Sequence, residues 1–77
     1  MNVEEMRTLV EMLTRRMEDV TNRKDKRVQK MLSDPTDRNI SVQLHLIHED
    51  EKILDNIWDV IKEIRFDIED ITGEPEA

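Results

Sequence analysis

Seventy-seven residues, of which 40% are charged and none is cysteine, leave room for one small domain without disulfide support. At this length folding hides only about 60% of the surface that the unfolded chain exposes, so an isolated copy has a narrow stability margin. The net charge of -7 disfavours broad contact with nucleic-acid phosphates or anionic lipid, and no apolar run approaches the ~18 residues that cross a bilayer.

Charge is unevenly distributed: residues 1–20 sum to -2, residues 21–35 to +3 and residues 36–77 to -8. The opening Met1-Asn2-Val3-Glu4-Glu5 is acidic, unlike a secretory signal, and with the lack of cysteine it suggests a cytoplasmic or other intracellular protein. The sequon Asn39-Ile40-Ser41 is coincidental in that setting. Although charged residues abound, the apolar ones recur at regular spacing, which favours a folded chain over a disordered one.

The first periodic segment predicts a helix over about residues 3–32. Val3, Met6, Val10, Leu13, Met17 and Val20 follow alternating steps of three and four, which hold one stripe on a single helical face. The same frame then meets Lys24 and Arg27 before Met31 resumes it. A turn is expected over about residues 33–39, where Pro35 removes an amide proton and Ser33, Asp34, Thr36, Asp37 and Asn39 offer capping side chains.

A second helix is expected from about residue 40 to 72, with a start just after Pro35 also open. Gly73 is placed as a stop, Pro75 blocks resumption, and residues 73–77 read as a disordered tail. Its seam is Ile40, Gln43, Ile47, Asp50, Leu54, Ile57, Ile61, Ile64, Ile68 and Ile71. Ile40, Val42, Leu44 and Leu46 alternate as a strand would, but no second alternating segment exists to pair with them. Two helices of similar length joined by a short polar turn predict an all-α antiparallel hairpin, with Met31 near Ile40, Lys24 near His48, Met17 near Leu54, and Val3 near Ile68 or Ile71.

One hairpin does not account for all the apolar residues. Leu46, Ile53 and Val60 run along one flank of the second seam, Leu44 and Trp58 lie on the other, and Leu9, Met12, Val28 and Leu32 lie outside the first seam. The simplest completion is a homodimer forming a four-helix bundle, with Leu46, Ile53, Val60 and Trp58 as self-association residues; a different helical protein satisfies the same physics. Phe66, opposite the seam between Arg65 and Asp67, is a candidate anchor for a further partner.

The polar seam positions Lys24, Arg27, Gln43 and Asp50 fall near one level of the hairpin. One reading pairs Lys24 or Arg27 with Asp50 and fixes the register. The preferred reading lets the helices splay there while the long side chains snorkel to water. Around them, Arg23, Lys26, Arg27 and Lys30 can form a positive surface for phosphate, yet without aromatic or glycine-rich companions a solvated face is the plainer account.

The acids Asp55, Asp59, Glu63 and Asp67 step by four and wind around the helix instead of converging, as a solvated face does. His45, His48 and Glu49 share one side of the second helix and are the best candidates for a divalent ion, but spacing identifies no fourth ligand. No metal or cofactor is therefore expected. There is no cysteine nucleophile, and a single glycine cannot build a phosphate loop. The sequence thus points to a non-catalytic helical interaction module: an adaptor, assembly factor or small regulator. Alternatives are a nucleic-acid accessory protein using the patch at 23–30 and an acidic inhibitor that mimics nucleic acid; no membrane role is expected.

Overall fold

Four helix ends, each with its own capping chemistry, determine where this chain is helical. The computed structural model describes residues 1–75 and contains two helices, α1 (Val3–Ser33) and α2 (Asp37–Thr72). Asn2 caps α1 by accepting the Glu5 amide at 2.8 Å, while Glu5 reaches back to accept the Asn2 amide at 3.4 Å. That reciprocal pair satisfies two amides that a helix start otherwise leaves without partners. Glu4 and Glu5 also place negative charge at the positive end of the helix dipole.

Helix α1 ends where Pro35 forces the chain to leave, and α2 begins at once. Thr36 caps α2 by accepting the Asn39 amide at 3.4 Å, and its carbonyl accepts the Ile40 amide at 2.9 Å. Helix α2 therefore starts three residues earlier than about residue 40, because Thr36 supplies the cap and Asp37 the acid of the first turn. At the far end Gly73 adopts φ 70°, the left-handed conformation that glycine enters without steric cost, and its amide closes on Glu69. The expected tail over 73–77 extends in its last two positions outside the described residues. The alternating stretch from Ile40 to Leu46 is helical throughout.

The two helices fold back on each other as an all-α hairpin, 53 × 19 × 14 Å in extent. The long dimension is that of one 36-residue helix at 1.5 Å per residue, about 54 Å, so the body is a single layer two helices wide. Cross-links between Arg23 and Asp50, and between Arg27 and Leu46, give the antiparallel register within a residue or two of that expected.

Both predicted stripes face the interhelical seam. Val20, Ile47, Ile61 and Ile68 are buried, and Val3, Met6, Val10, Leu13, Met17, Ile40, Leu54, Ile57 and Ile64 are half-buried. Ile71 is an exception. Near the open end of the hairpin it is 60% exposed, because little of α1 remains beside it. Ile61→Ala, which opens space in the seam, is expected to lower the unfolding free energy by about 2–4 kcal/mol in urea titrations, whereas Phe66→Ala changes it by less than about 0.5 kcal/mol.

Candidate interaction surface

Where the apolar stripe of α1 gives way to charge, the helices do not splay. Asp50 is 1% exposed and is gripped by two arginines of α1. Arg23 donates to Oδ1 through Nε at 3.1 Å and Nη2 at 2.7 Å, and Arg27 donates to Oδ2 through Nη1 at 2.8 Å. The same Arg27 nitrogen donates to the Leu46 carbonyl at 2.9 Å. This corrects the preferred expectation of a splayed, solvated region, and it places Arg23, not Lys24, beside Arg27 as the second donor. The reason is geometric: residues four apart share a helix side, and two planar guanidinium forks can saturate one carboxylate from its flank.

A second polar set closes the turn end. The Asn39 amide nitrogen donates to the Asp34 carbonyl at 2.7 Å and the Lys30 carbonyl at 3.1 Å, and the Asn39 oxygen accepts from Gln43 at 3.3 Å. Gln43 is thereby buried with a partner, and the last carbonyls of α1 gain a donor. Among the described residues no buried side-chain nitrogen or oxygen lacks a hydrogen bond.

These cross-links distinguish the two broad sides of the hairpin. Arg27 reaching the Leu46 carbonyl puts the basic run of α1 along the Leu46 side of α2. Leu46 and Ile53 are half-buried there, and Val42, Val60 and Ile71 are exposed on the same strip. Trp58 stands about 160° around α2 from Val60 and so faces the opposite side. It lines a groove with Thr14, Met17, Thr21, Ile61 and Arg65. Arg65 and Lys62 sit at 5.7 and 6.0 Å from the indole centroid, within cation–π range. Trp58 therefore does not share a face with Leu46, Ile53 and Val60, and Phe66 is 62% exposed on the outer surface of α2.

The charged candidates are distributed differently from a single site. Of the four basic residues, Arg23 and Arg27 are committed to Asp50, while Lys26 and Lys30 are exposed. His45, His48 and Glu49 are all exposed, and Glu49 stands 3.9 Å from Lys52. No three histidine, aspartate or glutamate side chains are grouped to hold a metal ion among the described residues. Of the acid row, Asp59 pairs with Lys62 at 3.3 Å. No helix among the described residues is long and apolar enough to cross a membrane. Comparison with protein-family models, with curated proteins and with solved structures finds no match for this chain.

The Arg23–Asp50–Arg27 lock yields a direct test by urea unfolding at one fixed chain concentration. Asp50→Ala strands two partly buried guanidinium groups and is expected to cost about 3 kcal/mol, whereas replacing all three residues together (Arg23→Met, Arg27→Leu, Asp50→Leu) recovers native stability to within about 1 kcal/mol. A loss below about 1 kcal/mol for Asp50→Ala would be that of a surface ion pair and would contradict the lock.

Proposed function

We propose that this protein is a non-catalytic helical interaction module that works as a homodimer, two hairpins packing through the Leu46, Ile53 and Val60 side of α2 into a four-helix bundle. The observation that carries this reading is the amount of surface left uncovered. The chain exposes 5828 Å², whereas a compact monomer of 9.2 kDa exposes about 4,900 Å². The excess, about 900 Å², is close to the ~800 Å² that each partner loses in an ordinary specific interface.

The composition of that surface supports the same reading. Among the described residues four apolar side chains are buried, while Met12, Val42, Val60 and Ile71 remain between 43% and 61% exposed. A second hairpin laid on this layer converts half-buried seam residues into a two-layer core, the arrangement in which a stripe of this width is stable. The non-catalytic part of the proposal rests on a chain with no cysteine, one glycine and histidines that point outward.

Light scattering at micromolar concentration is expected to give about twice the 9.2 kDa chain mass. Ile53→Lys with Val60→Lys should return the protein to monomer mass, while Phe66→Ala leaves the dimer intact. A native chain that stays monomeric across the micromolar range overturns the proposal.

A further inference from the structure

The strip on α2 specifies how a second copy lies on it, an inference that rests on the self-association just proposed. We infer that the two hairpins dock antiparallel, related by a two-fold axis that passes between the two α2 helices at the level of Asn56 and Ile57, so that the open end of each copy covers the turn end of the other.

The apolar positions permit reversal. Val42, Leu46, Ile53, Val60, Ile64 and Ile71 span nearly all of α2 instead of clustering at one end, so only full overlap of the two helices covers them. Reversing α2 about the point between residues 56 and 57 sets Val42 opposite the second copy's Ile71 and Ile53 opposite its Val60. An isologous interface requires this kind of self-complementary pairing.

Charge selects the same arrangement over its parallel rival. Residues 19–55, which form the turn half, hold seven lysines and arginines against eight acids, a net of -1. Residues 1–18 and 56–75, the open half, hold five against ten, a net of -5. Parallel docking would lay the two strongly negative halves on each other, and like charges brought together across an interface oppose association. Reversal separates them. It also lays the open half of each copy along the turn half of the other, where the Arg23–Asp50–Arg27 trio carries a net +1. Exposed Lys26 and Lys30 extend the positive border on that half.

Because the chain has no cysteine, disulfide trapping with single introduced thiols tests the geometry cleanly. Val42 and Ile71 are 49% and 60% exposed, so Val42→Cys and Ile71→Cys leave the hairpin folded. The 29 helical steps from one to the other span about 44 Å, far beyond the ~7 Å Cα separation that a disulfide tolerates. The two variants, refolded together and mildly oxidised, are expected to give the mixed disulfide in at least tenfold excess over either self-linked species. Mass separates the three products, because valine and isoleucine differ by one methylene. Self-linking of Ile71→Cys alone, or no mixed product from a sample that scatters as a dimer, overturns the antiparallel arrangement while leaving self-association standing. Monomer mass for the native chain and both variants overturns both.

Discussion

The register of the hairpin is tied to one buried carboxylate. Asp50 is enclosed in the interhelical seam, where an unpaired charge would be strongly destabilising, and two arginines four residues apart on α1 hold both of its oxygens. Sliding α2 along α1 by one turn, about 5.4 Å, would carry Asp50 out from between the two arginines and leave its charge incompletely paired in the seam. The isoleucine-rich stretch from Leu54 onward lacks this discrimination, since one isoleucine packs much like the next. Apolar burial thus holds the helices together, while the charged trio and the three-residue connector are both satisfied in this one alignment.

Much of this was readable from the residues. The three-four spacing located both helices, Pro35 and Gly73 marked their ends, and every seam position except Ile71 is buried or half-buried. The polar seam was readable in part: the frame set Arg27 level with Asp50, the less favoured of two readings, and the structure shows that pair. Lys24 and Arg27 occupied the frame, and periodicity gave no reason to look one residue earlier, at Arg23. A guanidinium on a long stem can reach inward from a flank, so the residue that closes a site need not lie on the stripe that defines it. Asn39 was visible as a turn residue. That it joins two carbonyls of one helix end to Gln43 of the next helix depends on tertiary placement, which no local pattern records.

The two sides of the hairpin differ in kind. Along one, an aliphatic strip runs the length of α2 beside a basic border. On the other, a single indole carries two nearby cations and lines a groove with Met17 and Ile61. Because Trp58 faces away from Val60, covering the aliphatic strip leaves the indole accessible. The proposed dimer would therefore expose two such grooves, one on each outer face, related by the same symmetry as the subunits.

The connector between the helices is a spacer whose length is part of the design. Only residues 34–36 separate α1 from α2, and Asn39 reaches back to bind both the end of α1 and the connector itself. Each residue of a helix turns it by about 100°, so a single insertion or deletion ahead of α2 that its first turn could not absorb would rotate Asp50 out of the seam and bring a neighbour in its place. Loops of most small domains tolerate such changes in length. Here a surface segment of three residues is constrained as tightly as the core, because the phase of α2 is counted from it.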